Sequence, residues 1–477
     1  MHRGPLTISK RTICQYTTRP RQHFISASSN SRVLLSNSVP ISRTHYSTTR
    51  SKTSPLPNHI PPTLRDLKPL DFSAIMPHAE IPTPTTPGEF TPSEYPPFPS
   101  GLPTVQLETI SLAKLLARDE AEQSRVFEIC KGRGFFYLDL EDGNPTAGET
   151  LIRGAEAIAH AGTRTFALPL EEKLSYLMGA TTTTTTGSGS DSGGAAGKPR
   201  QLFGYKKVGA TLADKATGVR DTAEFFNVAK DDMVAPCADP ADMPRRGASW
   251  PSSILEQREL FAGYMRAAHG VGMLILGLLV DKLGVKPEEI WNRHRIGELA
   301  GDHVRITRGP PRDKEEMPEI QTPSHTDFGT TNSITVLMNW LGGLQVWSES
   351  SHSAILTDGQ PDVPGEWLWV VPKPGCAIIN LGDAAVKFTN GVFCSGRHRV
   401  IPAPGPQGKF PRYSVVYFVR PEDKVIMEAL EGDGIPKKEL DFTGGEAEKK
   451  LTASEWIYQQ ALNIGTVFPS ANPGAKN

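Results

Sequence analysis

Apolar and polar positions change their spacing along this chain, and the changes mark its elements. From Leu102 the pattern runs from a strand-like start into an amphipathic helix, with Val126, Phe127 and Ile129 near helical spacing. Gly132 and Gly134 end it, and the run FFYLDL that follows has the density of a strand. A second helix is predicted over 149–166 and a third short element over 170–176. A long apolar-periodic helix is predicted over 252–283, stopped by Gly284 and Pro287. Its densest apolar run, 271–280, falls short of the roughly 18–20 residues that a membrane-spanning helix needs, so it reads as a buried helix. From His303 onward the texture turns to short β runs: SITVLM, LQVW, WLWVV, AIINLG, AVKFT, HRVIP and YSVVYFV. Many short strands bounded by Gly, Pro and Asp predict a sandwich or barrel. A helix over 453–462 closes the ordered pattern.

Three segments lack such periodicity. No Asp or Glu occurs before Asp66, while Arg3, Arg11, Arg19, Arg21, Arg32, Arg43 and Arg50 lie in a Ser/Thr-rich background. That composition predicts a mitochondrial transit peptide over 1–53, with a processing site near Arg43-Thr44-His45; an unaddressed tail of a cytoplasmic protein is the alternative. Pro-rich sequence over 54–101 reads as a linker or wrapping arm, because proline removes donors and favours extended chain. The run TTTTTTGSGSDSGGAAG at 181–197 has nothing to bury and reads as a disordered surface loop, with a ligand lid as the functional alternative. The division that follows is an amino-terminal region with a helical cap over 102–300, a β core over 301–425, and a tail with one helix over 426–477.

Composition narrows the function classes. The 477 residues carry 52 acidic against 51 basic side chains, which gives no support for a nucleic-acid or membrane-surface partner. Cys14, Cys130, Cys237, Cys376 and Cys394 form no CxxC pair, so neither a disulfide framework nor a zinc ribbon is expected.

Candidate chemistry sits in the β region. Ser324-His325-Thr326-Asp327 places an imidazole and a carboxylate two positions apart, on one face of an extended chain. His398, at the start of a later β run, can supply a third ligand. Two histidines and one carboxylate form a facial triad that leaves coordination positions open on iron(II), whereas a structural zinc site closes with four ligands. An isolated H-x-D is common, and a histidine at a strand start equally suits a hydrogen-bonding role. Arg412 and Ser414 again share a face; the guanidinium can fork onto a carboxylate and the hydroxyl can add a bond. A surface arginine at a strand end is the plainer reading of Arg412. With iron(II), Asp327, Arg412 and a dicarboxylate dianion the charges cancel, which suits burial.

Order and spacing now add a resemblance. HTDFGTTNSITVLMNWLGGLQVW, PKPGCAIINLGDAAVKFTNGVFCSGRHRVIP and RYSVVYFVRP resemble the isopenicillin N synthase-like branch of the iron(II)/2-oxoglutarate oxygenases, in particular its fungal members. The resemblance spans 102–421 and is densest over 325–420, with GRGFFYL, FGYKKVG and DTAEFFNV fitting the amino-terminal half. It implies a mainly β protein with flanking α: a double-stranded β-helix, or jelly roll, with a helical cap. It implies that His325, Asp327 and His398 ligate Fe(II), that Arg412 and Ser414 bind the co-substrate 2-oxoglutarate, and that O2 is consumed. Gly342-Gly343-Leu344-Gln345-Val346 and Asn380-Leu381-Gly382-Asp383 match its scaffold turns. Two departures stand out. The family's Asn-Tyr-Tyr-Pro-like stretch corresponds to Val304-Arg305-Ile306-Thr307-Arg308-Gly309-Pro310-Pro311, which lacks tyrosine, so no tyrosine role carries over. A longer polar stretch between Val346 and Trp367 reads as an enlarged turn, which makes His352 a poor ligand candidate.

The implied activity is hydroxylation or desaturation of a small organic substrate, with release of succinate and CO2. Phe203, Tyr205 and Phe418 are candidate substrate-lining residues, and each also suits the core. Two alternatives are an iron oxidase of the isopenicillin N synthase type that uses no 2-oxoglutarate, and a non-catalytic binding module on the same fold. Substrate identity and oligomeric state have no signal in the sequence.

Overall fold

The structure, a computed structural model, describes residues 90–143, 145–178, 202–213, 217–234, 246, 249–312, 320–327, 333–349, 364–437 and 450–463. The predicted transit peptide, most of the Pro-rich stretch, the loop at 181–197, Cys14, Cys237 and His352 lie outside the described residues.

Twelve strands are described: β1 (Thr109–Ser111), β2 (Phe135–Asp139), β3 (Gly204–Lys206), β4 (Glu224–Ala229), β5 (His303–Gly309), β6 (Thr322–His325), β7 (Ile334–Asn339), β8 (Leu344–Trp347), β9 (Trp367–Trp369), β10 (Cys376–Leu381), β11 (His398–Val400) and β12 (Arg412–Val419). They form an eight-stranded sheet in the order β1-β2-β10-β7-β12-β5-β4-β3 and a four-stranded sheet in the order β6-β11-β8-β9. Every pairing within them is antiparallel except β1 with β2. The large sheet therefore takes strands from both the amino-terminal region and the β core.

Alternation along the strands separates two apolar environments. Val304, Ile306, Val336, Tyr413, Val415, Tyr417 and Val419 join the large core that the helices cover. Phe135, Tyr137, Leu337, Leu344, Val346 and Ile378 form a second cluster with residues of both sheets. In the register of β5 with β12, Arg305 lies opposite Val416, Thr307 opposite Ser414, and Gly309 opposite Arg412. These inward positions line the lumen between the sheets. Phe225, Arg305, Thr307 and Val416 keep partial exposure there, while Phe226, Val304, Ile306, Val415 and Tyr417 are buried.

The helix Arg258–Asp281 packs on the outer face of the large sheet. By length and composition it could cross a membrane, but 78% of its apolar window is buried against the rest of the protein. The predicted helix over 252–283 is in fact two, Ser252–Leu255 and Arg258–Asp281, divided at Glu256 and Gln257. Gly272 lets it approach closely, since a Cβ there would lie 2.7 Å from Val419 Cγ2. The helix Pro145–Phe166 extends the one predicted over 149–166. Glu120–Gly132 begins at Asp119, whose side chain accepts from Glu122 N at 2.8 Å, a side-chain cap for an otherwise unpaired donor. It ends before Gly134, whose φ of +68° and proximity to the Cys394 carbonyl leave no room for a side chain.

One expectation is corrected. The run AVKFT, taken for a strand by its apolar content, lies in and just beyond the helix Asp383–Phe388. Gly382 stands at its cap with extended backbone, Asp383 favours the first turn, and Ala384 and Ala385 are strong helix formers. Five residues of mixed apolar sequence carry too little period to separate the two states.

Ahead of β1 the chain lies against this framework. Phe90 is buried, with ring centroids 4.7 Å from Trp340 and 5.7 Å from Tyr413. Pro96 O accepts from Gln407 Nε2 at 2.8 Å.

Candidate metal centre

The short strands β6 and β11 pair so that His325 and His398 stand directly opposite each other. Asp327 follows His325 by two positions, just past the strand, and turns its carboxylate to the same side. His325 Nε2 and His398 Nε2 each lie 3.8 Å from Asp327 Oδ1. One ligand atom from each of the three residues falls within 4.8 Å of the others, close enough to share one ion. The sequence-predicted triad is thus brought together.

Hydrogen bonding fixes the imidazole tautomers. His325 Nδ1 lies 2.8 Å from Pro323 O, and His398 Nδ1 lies 3.1 Å from Gly396 O. A carbonyl can only accept, so each Nδ1 carries the hydrogen and each Nε2 keeps its lone pair for a metal. Burial, reinforced by the neighbouring His398, pushes the His325 imidazole down to about 3, against the pull of Asp327. His325 is therefore neutral near pH 7, the state a ligand needs. The donor set of two imidazoles and one carboxylate, with no cysteine, fits iron(II).

The large sheet supplies the support. Asn380 Nδ2 donates to Asp327 Oδ2, and Thr335 Oγ1 donates to Asn380 Oδ1. Thr335 and Asn380 are register partners across β7 and β10. Oδ2 of Asp327 is thereby engaged and Oδ1 is turned to the two imidazoles. Sequence reading assigns Asn380 to scaffold; its only signal was its place in the segment before the distal histidine. Thr326, between the ligand candidates, donates to Asp383 Oδ2 at 3.1 Å.

Arg412 and Ser414 lie on the lumen face of β12, both buried. Arg412 Nε donates to Gly342 O at 2.8 Å, and Gly343, at φ +121°, leaves room for its side chain. Gly342 N in turn donates to Gln407 Oε1 at 2.9 Å. Burial pushes the Arg412 guanidinium down to about 10, still charged at neutral pH. Among the described residues no carboxylate pairs with it. A buried unpaired charge costs several kcal/mol, on the order set by desolvation. In the stretch 304–311, which lacks a tyrosine, the Gln321 side chain packs against Gly309.

The three substrate-lining candidates separate. Phe418 faces the lumen, stacked on His303 at 4.5 Å with 22° between the rings. Phe203 is buried with its ring edge toward His303, 5.9 Å away. Tyr205 is corrected to a core residue. It alternates to the outer face opposite Phe226, and its hydroxyl donates to Glu224 at 2.6 Å. The buried cysteines Cys130, Cys376 and Cys394 form no disulfide among the described residues and stand outside the cluster.

Fold and site together define a facial-triad oxygenase on a double-stranded β-helix. Comparison with known proteins agrees. Residues 301–421 match the model of the 2OG-Fe(II) oxygenase superfamily. A 2-oxoglutarate-dependent dioxygenase of Aspergillus fumigatus is 32% identical over 372 residues, covering 76% of this chain and 86% of that protein. Another, from Glarea lozoyensis, is 25% identical over 331 residues, covering 69% and 84%. In fold, the chain is similar to full-length Neurospora crassa T7H, solved in complex with alpha-KG. The TM-score is 0.53 at 18% identity, over 76% of this chain and 99% of that one. This chain belongs to the 2OG-Fe(II) oxygenase superfamily, as an iron(II)- and 2-oxoglutarate-dependent dioxygenase.

Proposed function

We propose that His325, Asp327 and His398 hold the iron, that Arg412 and Ser414 receive the distal carboxylate of 2-oxoglutarate, and that the enzyme hydroxylates or desaturates a small organic substrate. The observation that carries this is the convergence of two lone-pair nitrogens and one carboxylate oxygen, on a lumen that also holds a buried guanidinium with no carboxylate partner among the described residues. Iron(II) and 2-oxoglutarate, when bound, supply the activation of O2, with release of succinate and CO2.

The residues of the chain do the rest. The carbonyls of Pro323 and Gly396 hold the two imidazoles in the metal-binding tautomer. Asn380 holds the Asp327 carboxylate in one orientation. Arg412, anchored at Nε, keeps its terminal nitrogens for a two-pronged bond to a carboxylate, and the Ser414 hydroxyl can add a third. The apolar cluster of Phe135, Tyr137, Leu337 and Ile378 lines the interior of the sandwich and limits water there.

Succinate release from 2-oxoglutarate, screened against small-molecule extracts, tests the reading. Turnover without succinate would favour the 2-oxoglutarate-independent oxidase. Failure to bind iron(II) anaerobically would favour a non-catalytic module. The acid-free, Arg-rich segment before Asp66 supports delivery to mitochondria. Imaging of a fluorescent fusion to the full chain tests it, and a diffuse cytoplasmic signal would refute it.

A further inference from the structure

The lumen holds a second cation whose place in the reaction the co-substrate reading leaves open. Arg305 sits on β5, inward, opposite Val416 of β12 and Asn227 of β4. Its guanidinium carbon is 4.1 Å from the ring centroid of Phe225 and 5.0 Å from that of Phe418. The group is therefore flanked by two rings, one from each neighbouring strand. Such a setting favours a planar cation and restricts its rotation.

Its direction is fixed as well. Asn227 Nδ2 donates to Leu202 O at 2.7 Å, which sets the orientation of the amide. Asn227 Oδ1 then accepts from Arg305 Nε at 2.8 Å. With Nε engaged and two rings beside the group, the two terminal nitrogens are left for a ligand. Among the described residues neither has a carboxylate partner, and Asp327 acts on the group only through its field. Arg305 nevertheless keeps partial exposure, so the lumen reaches it. Two other cations share these rings: Lys206, over Phe225 at 5.5 Å, is paired with Asp221, and Arg420 stands over Phe418 at 5.6 Å.

Beyond Phe418 the lumen remains polar. His303 is fully buried and stacked on that ring, with Nδ1 turned to Gly301 O at 2.9 Å. Its Nε2 has no hydrogen-bond partner among the described residues.

Charge decides which group. Iron(II), Asp327, Arg412 and the 2-oxoglutarate dianion would sum to zero among themselves, so none of them supplies a counter-charge for that of Arg305. A single negative charge on the substrate would cancel it. A forked guanidinium matches the two oxygens of a carboxylate. We propose that Arg305, flanked by Phe225 and Phe418 and aimed by Asn227, anchors the carboxylate of the primary substrate, which is a monocarboxylic acid. The inference rests on the reading above, in which Arg412 takes 2-oxoglutarate.

The test uses the full chain, saturated with Mn(II) and 2-oxoglutarate so that the co-substrate site is filled. Binding of aryl and alkyl monocarboxylic acids, each paired with its uncharged primary amide, is measured by calorimetry. Wild type is expected to bind at least one acid about tenfold or more tightly than its amide, which corresponds to about 1.4 kcal/mol. Arg305→Met is expected to remove that preference while 2-oxoglutarate binds as before, and Arg305→Lys to keep part of it. Equal binding of every acid and its amide by wild type overturns the proposal even if the variants do not fold. So does a preference that survives in Arg305→Met. Failure of wild type to bind 2-oxoglutarate would instead refute the co-substrate reading.

Discussion

Asn380 donates its amide hydrogen to Oδ2 of Asp327, so the carboxylate that completes the His-Asp-His cluster is oriented by a strand of the opposite sheet. Metal binding and the packing of the two sheets are thereby linked through one side chain. Asn380→Ala should weaken iron(II) affinity by about 10–100-fold, the range for partners that orient metal ligands. An anaerobic metal titration checks this, and an unchanged affinity would show that Asp327 needs no such support.

Asp327→Ala removes the proposed anionic ligand. Iron-dependent turnover should fall to background, with the fold kept, as read by succinate formation alongside circular dichroism. Full activity in that variant would remove Asp327 from the centre.

Arg412→Lys keeps a charge but loses the fork. A hydrogen bond to a charged group contributes about 1.5–3 kcal/mol, so the KM for 2-oxoglutarate should rise by roughly tenfold or more. Initial rates against 2-oxoglutarate concentration check it, and an unchanged KM would point to another acceptor for that carboxylate.

His294 gives a pH dependence away from the metal. Its Nδ1 lies 2.7 Å from Ile290 O and its Nε2 2.7 Å from Ser333 Oγ, joining the end of one helix to the start of β7. Burial pushes this imidazole down to about 4, below its ordinary 6.5. The unfolded chain therefore gains the proton first as pH falls. Stability that is fully present above about 6.5 is lost progressively toward about 4. Thermal unfolding across that window should show the decline, and His294→Gln should flatten it. A slope that is the same in the variant would assign the decline to other groups.

Gly272 sets the distance between its helix and the large sheet. Gly272→Leu forces a side chain onto Val419 and Ile334 and should cost about 1–3 kcal/mol, as overpacked cores do. Chemical denaturation measures it, and a loss below a few tenths would mean that the helix can shift freely.

Much of the site is legible in the sequence because its ligands lie on extended chain. His325 and Asp327, or Arg412 and Ser414, show their common face through a spacing of two. The strands SITVLM, LQVW and YSVVYFV likewise declare themselves by β-branched and aromatic content. Other parts depend on pairing that no local pattern carries. Asn380 meets Asp327 only because its side chain reaches across from β10 of the other sheet. The polar set around Arg305 is assembled from β3, β4, β5 and β12, segments far apart in sequence. In the sequence Arg305 is only one residue of a stretch marked by its missing tyrosine. The helix Asp383–Phe388 went unseen because its capping glycine also suits a strand end. Tyr205 misleads because an aromatic beside a motif points outward or inward according to register.

The buried ring of Phe90 has reach. It leans on Tyr413, which sits between Arg412 and Ser414, while Pro96, Gln407 and Gly342 form a relay of hydrogen bonds that ends on Arg412. The described end of the proline-rich stretch, from Phe90 onward, thus braces the arginine proposed to hold the co-acid. Anyone shortening this polypeptide for crystals, or fusing a tag close to residue 90, should expect the effect to surface as slack 2-oxoglutarate binding and not as misfolding.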